Sequence, residues 1–164
     1  MISAELVQTN EQIQTVVELA KQIWEQHYTA IIGEEQVAYM LDKFQSEKAI
    51  SSQLKESYQY YLLNYQNTSV GYISIQERGN TLFLSKIYVL ASQRGKGIGK
   101  YGIQFITLKA RELDKSKISL TVNKYNTNSI KAYEKLGFKN VDAVVADIGA
   151  GYVMDDFVFN LELD

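Results

Sequence analysis

The chain has 164 residues, of which 46% are hydrophobic and 22% are charged. This composition excludes an intrinsically disordered chain, and the length predicts a single domain over residues 1–164. With 17 basic and 19 acidic residues, the net charge of −2 argues against nucleic acid as a partner. Because the sequence contains no cysteine, a disulfide framework, a thiol nucleophile and a cysteine-ligated metal are all excluded.

Two further classes are disfavoured by the distribution of apolar residues. No apolar stretch approaches the ~18 residues of a membrane span, and the N-terminal segment lacks the basic and apolar regions of a secretory signal. We therefore expect a cytoplasmic protein with no membrane partner and no metal.

Hydrophobic periodicity divides the chain into helices and strands. Thr9 and Gln12 have the spacing of a capping box at the start of the first helix, and Gly137 lies where a left-handed residue ends the last one. Residues 81–90 are almost continuously apolar, which predicts a strand buried on both faces. The predicted elements are a strand at 2–7, helices at 9–24 and 37–44, a polar stretch at 46–57 compatible with a short helix, strands at 58–65, 70–76 and 81–90, a helix at 99–113, a strand at 117–122, a helix at 126–136, and strands at 141–148 and 152–163. This order predicts an α/β fold with a mixed sheet.

A glycine-rich turn, residues 93–100, lies between a predicted strand and a predicted helix. Such a turn presents free backbone N–H groups and the positive end of a helix dipole at the edge of a sheet. Arg94, Lys96 and Lys100 add positive charge. We therefore expect the turn to bind an anion, and most plausibly a phosphate or pyrophosphate.

Two phosphate-binding motifs partly match this turn, and neither fits. A P-loop needs a serine or threonine after its lysine, but Lys100 is followed by Tyr101, and Arg94 stands where the first glycine belongs. Residues 97–102 match the dinucleotide pattern GxGxxG, yet six residues separate them from the preceding strand. The next strand also ends in Val122-Asn123-Lys124, without the acidic residue that would bind a ribose.

Three segments together carry a family resemblance. Residues 94–99 fit the pattern [Gln/Arg]-x-x-Gly-x-[Gly/Ala], residues 84–89 form the strand before it, and residues 126–138 (NTNSIKAYEKLGF) fit N-x-x-[AS]-x-x-x-Y-x-x-x-G-F. In this order and spacing, residues 70–140 resemble the GCN5-related N-acetyltransferase (GNAT) superfamily. The resemblance implies a single-domain α/β fold with a mixed twisted sheet, helices on both faces, and central parallel strands that splay apart.

The resemblance also implies acetyl-CoA as the cofactor, held between strands 81–90 and 117–123. Tyr133 corresponds to the family tyrosine that acts as a general acid on the CoA sulfur, and the Val89 backbone N–H is expected to polarise the thioester carbonyl. The full set of expected cofactor contacts is Ile87, Tyr88, Val89, Arg94, Gly95, Lys96, Gly97, Ile98, Gly99, Lys100, Asn126, Asn128, Ser129, Tyr133 and Lys135.

The acceptor is expected to be a primary amine. An alkylammonium needs a base, for which Glu77, Asp155, Asp156 and the single histidine, His27, are the candidates. An aromatic wall with carboxylates would suit a cationic acceptor, and the expected acceptor-site residues are Trp24, His27, Tyr28, Tyr39, Glu77, Tyr152 and Asp155.

More weakly, the chain is similar to bacterial spermidine/spermine N-acetyltransferases, which points to a small polyamine as acceptor. A protein N-terminus or an aminoglycoside stays open as the acceptor, and so does a non-catalytic acyl-CoA-binding module. The absence of cysteine favours direct attack in a ternary complex. Domains of this family often pair, and the apolar segment 156–163 is the candidate interface of a homodimer.

Overall fold

The computed structural model describes residues 1–163. The strands are β1 (Ile2–Leu6), β2 (Tyr58–Tyr65), β3 (Thr68–Arg78), β4 (Thr81–Val89), β5 (Lys117–Asn123), β6 (Lys139–Gly149) and β7 (Tyr152–Glu162). The helices are α1 (Asn10–His27), α2 (Thr29–Ile32), α3 (Glu34–Phe44), α4 (Glu47–Lys55), α5 (Ile98–Glu112) and α6 (Thr127–Lys135), with one 3₁₀ turn at Ala91–Gln93. No helix among these residues is long and apolar enough to cross a bilayer.

The seven strands form one mixed sheet in the order β1-β2-β3-β4-β5-β7-β6. All neighbouring pairs are antiparallel except β4 and β5, which are parallel. Their pairing comprises only Thr81–Lys117, Leu82–Ile118 and Phe83–Ser119. Beyond Phe83 the two strands separate, so the predicted splay of the central parallel strands is confirmed and a gap opens in the middle of the sheet.

The helices cover both faces of this sheet, as expected. On one face α5 and α6 pack on a core that includes Leu82, Ile106 and Phe159. On the other face α1, α3 and α4 pack on a separate core that includes Val16 and Tyr72. The gap between β4 and β5 therefore lies between two independently packed layers of helices.

A one-residue irregularity in β4 decides which side chains face each layer. On β3, Ser74 pairs with Lys86 and Ile75 pairs with Leu84, so Ser85 has no partner. Such a bulge shifts the alternation of side chains by one position. Leu84 consequently packs in the core beneath α5, whereas the Lys86 side chain reaches the other face and the end of α3.

The terminal signals read from the sequence are confirmed. The Thr9 side chain accepts from the Gln12 N–H, and the Gln12 side chain accepts from the Thr9 N–H, which completes the capping box. Gly137 follows α6 with φ +99, a conformation that costs other residues energy. The polar stretch at 46–57 contains a nine-residue helix, α4, capped by the Ser46 side chain at the Ala49 N–H.

One expectation about the strands needs correction. Residues 81–90 are not buried on both faces, because inward and half-exposed positions alternate along β4 and the strand borders the gap. Segment 156–163 forms most of β7, which pairs with β5 on one side and with β6 on the other. The free edge at this end of the sheet belongs to β6, which is exposed along nearly its whole length.

Candidate active site

A cleft of about 580 Å³ follows the gap between β4 and β5 through the sheet. This volume lies within the usual range for small-molecule sites. Both β4 and β5 contribute to its walls, as do the turn before α5, helix α6, the C-terminal end of α1, the first half of α3, and β7. The cleft therefore connects the glycine-rich turn on one side with the aromatic residues of α1 on the other.

The glycine-rich turn presents its backbone toward this cleft. Gly97 is the N-cap of α5 and adopts φ +80, a left-handed conformation that favours glycine. Among residues 1–163, the backbone N–H groups of residues 95–100 have no acceptor, as expected for the first turn of a helix. A Cβ added at Gly95, Gly97 or Gly99 would meet nothing within 4 Å, so the space above the turn is open. An anion can therefore approach the backbone directly.

Gly102 fixes the position of α5 relative to the sheet. A Cβ at this position would come within 3.1 Å of the Cδ1 atoms of Ile73 and Ile87. The absence of a side chain thus lets α5 lie directly on β3 and β4. This close approach places the free N–H groups of the turn beside the end of β4.

The edge of β4 that borders the gap has unused backbone groups. The Leu90 N–H donates to the Val70 carbonyl on β3 over 2.9 Å. Because successive N–H groups of a strand point to opposite sides, the N–H groups of Ile87 and Val89 point away from β3 and into the gap. There β5 has already separated from β4. The Ile87 and Val89 N–H groups could therefore donate to the carbonyl oxygen of a ligand that lies in the gap.

Tyr133 lies on α6 and lines the cleft from the side of β5. Its ring packs against Phe138, with the ring centroids 5.6 Å apart. Burial raises the pKa of the Tyr133 phenol, and Tyr28 raises it further. The hydroxyl has no hydrogen-bond partner among the described residues. Tyr133 is therefore a protonated phenol whose donor is available to a ligand.

An aromatic cluster forms the opposite wall. The rings of Trp24, on α1, and Tyr28, the residue that caps the end of α1, have centroids 4.3 Å apart. Tyr88 of β4 contacts both, with centroids 5.7 Å from Trp24 and 6.3 Å from Tyr28. Burial raises the pKa of both tyrosines, so all three rings are neutral at physiological pH. Aromatic faces in this arrangement can accommodate an organic cation.

The side chain of Asn126 connects α6 to the end of α1. Its Nδ2 donates to the Tyr28 hydroxyl over 3.2 Å, and its Oδ1 lies 3.1 Å from the His27 Nε2. His27 also contacts the Tyr28 ring edge-on, at a centroid distance of 4.7 Å. Asn126 is buried and borders the cleft, so it both lines the site and holds His27 and Tyr28 in place.

Two adjacent carboxylates on β7 have different surroundings. Asp155 forms an ion pair with Lys124 over 2.8 Å and does not border the cleft. Asp156 is 5% exposed and lines the cleft, on the face that carries α1 and α3. The Asp156 pKa is raised to about 6: burial raises it most, the neighbouring Asp155 carboxylate also raises it, and Lys124 lowers it.

Most of the expected site residues come together in the cleft. Those that line it are Trp24, His27, Tyr28, Ile87, Tyr88, Val89, Arg94, Gly95, Gly97, Ile98, Gly99, Lys100, Asn126, Asn128, Ser129, Tyr133 and Lys135. Lys96 lies on the same turn, but its Nζ donates to the Gln93 Oε1 over 2.8 Å rather than facing the cleft.

Four expected acceptor-site residues do not line the cleft. Glu77 is near the far end of β3 and pairs with Lys115 over 2.9 Å. Tyr39 donates to the Ile148 carbonyl over 2.6 Å and packs against Tyr152, so both support the β6–β7 turn. Asp155 is engaged by Lys124.

The sequence contained a signal that favours Asp156 over Asp155. Phe157, Phe159 and Leu161 alternate along β7 and pack in the core beneath α5 and α6. Residues at the intervening positions must face the other layer, where Trp24 and Tyr28 lie. Asp156 has that parity and Asp155 does not.

One cleft residue, Lys86, was not expected at all. It is 7% exposed, and its Nζ donates to the Phe44 carbonyl over 2.9 Å, to the Gln53 Oε1 over 3.0 Å, and to the Tyr60 hydroxyl. Burial lowers the Lys86 pKa to about 7. These bonds attach β4 to the C-terminal end of α3 and to α4. Lys86 is thus a support for the cleft wall rather than a ligand in it.

Comparison with known proteins agrees with this site. The sequence matches the acetyltransferase (GNAT) family over residues 16–138. It is 25% identical over 146 residues to a spermidine N(1)-acetyltransferase of Thermoplasma acidophilum, covering 84% of this chain and 88% of that protein.

Solved structures show the same fold. The PaiA N-acetyltransferase of Thermoplasma acidophilum, solved with coenzyme A, superposes with a TM-score of 0.83 at 21% identity, covering 99% of both chains. The ribosomal-protein-S18-alanine N-acetyltransferase of Escherichia coli gives a TM-score of 0.74 at 16% identity, covering 99% of this chain and 94% of that one. The match over residues 16–138 decides the assignment: this chain belongs to the GNAT family of acetyl-CoA-dependent N-acetyltransferases.

Proposed function

We propose that residues 1–164 act as one domain that transfers the acetyl group of acetyl-CoA to a primary amine, with a small polyamine-like molecule as the favoured acceptor. The observation that carries the proposal is the cleft itself. Free amides of the turn, the Val89 N–H and the Tyr133 hydroxyl border one continuous space. An acyl-transfer site needs these three kinds of donor: for a diphosphate, for a carbonyl oxygen and for a leaving sulfur.

The residues around the turn suit acetyl-CoA. A diphosphate would accept from the free amides of residues 95–100, assisted by the charges of Arg94 and Lys100. Asn126, Asn128, Ser129 and Lys135 line the continuation of the cleft along α6, where the pantetheine arm and nucleotide would make further polar contacts. When bound, acetyl-CoA supplies an activated acetyl group as a thioester.

Two groups of this chain are assigned to the chemistry. The Val89 N–H donates to the thioester oxygen, where negative charge develops during transfer. Tyr133 donates its phenolic proton to the departing sulfur, a role supported by the raised pKa that keeps the phenol protonated. The absence of cysteine leaves no thiol to carry the acetyl group, which supports direct attack by the amine.

The polyamine acceptor is supported by three features. A distant relative is a spermidine N(1)-acetyltransferase. The cleft wall of Trp24, Tyr28 and Tyr88 offers neutral aromatic faces, and Asp156 offers a negative charge on the same side of the sheet. A structural neighbour is a ribosomal-protein-S18-alanine N-acetyltransferase, so a peptide acceptor is the second candidate.

An amine panel tests the proposal. The protein is incubated with acetyl-CoA and either spermidine, an alanine-initiated peptide or an aminoglycoside, and release of free CoA thiol is followed. We expect thiol release that depends on spermidine, with mass spectrometry showing one added acetyl group on the amine. Release that is independent of every amine would instead favour an acyl-CoA-binding module. The homodimer stays a prediction, which sedimentation of the protein would test.

A further inference from the structure

The Asp156 carboxylate lies on the wall of the cleft that faces α1. Among residues 1–163 it forms neither a hydrogen bond nor an ion pair. A buried carboxylate in this condition is costly unless a cation or a set of donors compensates it. Asp156 nevertheless lies almost wholly within the protein and borders the cleft.

The neighbouring cations cannot supply that partner. Lys124, the next residue after the β5 position that pairs with Asp156, has its Nζ on Asp155 over 2.8 Å. The buried Lys86 is engaged by three oxygen atoms at the end of α3 and on α4 and β2. Because neither lysine forms an ion pair with it, the Asp156 carboxylate is available to a cation that enters the cleft.

The surroundings of Asp156 define what could enter. Met154 lies two positions before it on the same face of β7, and Met40 of α3 lines the same part of the cleft. Tyr28 is close enough that the Asp156 charge contributes to raising the Tyr28 pKa. A negative charge surrounded by methionine and aromatic side chains is complementary to an ammonium group on an alkyl chain.

We propose that the Asp156 carboxylate binds the ammonium group of the acceptor and accepts one of its protons before acetyl transfer. The inference rests on the proposed function and assigns the acceptor-binding group and the base of that same site. It places the base on β7, the strand beyond the gap. It also requires that the acceptor enter from the face that carries α1 and α3.

The proton balance of the step is complete. The acceptor ammonium carries three protons on nitrogen, and the amide product carries one. Asp156 takes the first, which leaves a lone pair to form the N–C bond as the C–S bond breaks and its electron pair remains on sulfur. Tyr133 protonates the sulfur, and the second proton lost from nitrogen restores the Tyr133 phenol. Asp156 later releases its proton to water.

The ionisation of Asp156 supports this role. Its raised pKa of about 6 leaves it ionised at neutral pH and a stronger base than an ordinary aspartate. The charged and titratable groups that influence it are Asp155, adjacent to it on β7, Lys124 after β5, and Tyr28 at the end of α1. His27 is the last residue of α1, directly before Tyr28, and also lines the cleft.

The first test compares Asp156→Asn with the wild-type protein and with Asp142→Asn, a charge-matched change on the exposed edge strand. We expect Asp156→Asn to lower kcat/KM for spermidine at least 100-fold and to weaken spermidine binding to the CoA-loaded protein at least tenfold by calorimetry. CoA binding and the melting temperature of Asp156→Asn should stay at or above wild-type values, because a costly buried charge is removed. A kcat/KM within threefold of wild type would overturn the inference.

The second test uses pH. In the wild-type protein kcat/KM should fall below about pH 6, tenfold per pH unit, as Asp156 becomes protonated. Asp155→Asn should move this acid limb to lower pH, since Asp155 raises the Asp156 pKa. His27→Gln should retain the limb. An acid limb that persists in Asp156→Asn, or disappears in His27→Gln, contradicts the assignment.

Failure of this inference and failure of the proposed function give different results. If the wild-type protein acetylates no amine, the proposed function fails, and calorimetry alone then decides whether Asp156 binds spermidine. If the wild-type protein acetylates spermidine and Asp156→Asn does so equally well, only the role of Asp156 fails.

Discussion

The Nε2 of His27 lies 3.1 Å from the Oδ1 of Asn126, which joins the end of α1 to the start of α6 across the gap in the sheet. These residues are 99 positions apart in the chain. The same Asn126 amide donates to the Tyr28 hydroxyl, so one buried side chain fixes two residues that line the cleft.

Asn126→Ala should therefore destabilise the protein as well as perturb the site. It removes both bonds and leaves the Tyr28 hydroxyl without its donor, which should lower the free energy of unfolding by roughly 1–3 kcal/mol. Urea denaturation measures this, with the exposed Asn128→Ala as the matched control, expected to cost under about 0.5 kcal/mol. Equal effects of the two substitutions would show that the Asn126 bonds contribute no stability.

Tyr133→Phe should lower kcat by roughly 10²–10⁴-fold, the usual range for a lost general acid. CoA affinity by calorimetry and the melting temperature should hardly change, because the ring still packs on Phe138. Tyr125→Phe is the control, since Tyr125 is 72% exposed and does not line the cleft. A kcat for Tyr133→Phe that equals the control value would remove the acid role.

Gly99→Asp should affect stability and cofactor binding in opposite directions. Gly99 is in the first turn of α5, its φ is not positive, and a Cβ there meets nothing within 4 Å. A carboxylate at a helix N-terminus stabilises the helix by about 0.3–1 kcal/mol, but it would repel a diphosphate on the same amides. We expect a melting temperature at or above the wild-type value and loss of measurable CoA binding.

Gly99→Ala separates size from charge in that experiment. It adds a methyl group without a charge and should weaken CoA binding far less than Gly99→Asp does. If the two variants bind CoA equally well, the anion does not lie on this turn.

Stability should rise with pH between about 7 and 9 because of Lys86. Its pKa is lowered by burial to about 7 in the folded protein, whereas an unfolded lysine titrates near 10.4. In this window the unfolded chain binds a proton that the folded chain does not, so unfolding becomes less favourable as pH increases. Measurements should stop at pH 9, since several buried tyrosines have raised pKa values and reverse the trend above their unfolded pKa of about 10.

Urea denaturation at pH 7, 8 and 9 measures this rise. Lys86→Met should flatten it, because methionine has a similar length and no titratable group. Lys48→Met, an exposed change on α4, should leave the slope as it is in the wild-type protein. A slope in Lys86→Met that equals the control slope would assign the pH dependence to other groups.

The sequence predicted those features that depend on local chemistry. The capping box at Thr9 and the left-handed Gly137 are encoded by a few neighbouring residues, and the structure contains both. The glycine-rich turn was likewise recognisable, because its glycines and cations lie within one short segment.

Features that depend on non-local pairing were harder to predict. The bulge at Ser85 shifts the alternation of β4, and no local pattern marks it, so the buried Lys86 was missed. Glu77 is a candidate base in the sequence, but in the structure it lies near the end of β3 and forms an ion pair with Lys115. Asp155 and Asp156 differ only in strand parity, which the apolar alternation of the following residues determines.

Because β4 separates from β5 after three paired residues, the cleft passes through the centre of the sheet and opens toward both of its faces. A long donor lying beside α5 and a cation arriving past α1 would use separate entrances, and neither would obstruct the other. Each product could then leave by the route through which its precursor came. A cleft that both substrates can occupy at the same time favours sequential over ping-pong kinetics.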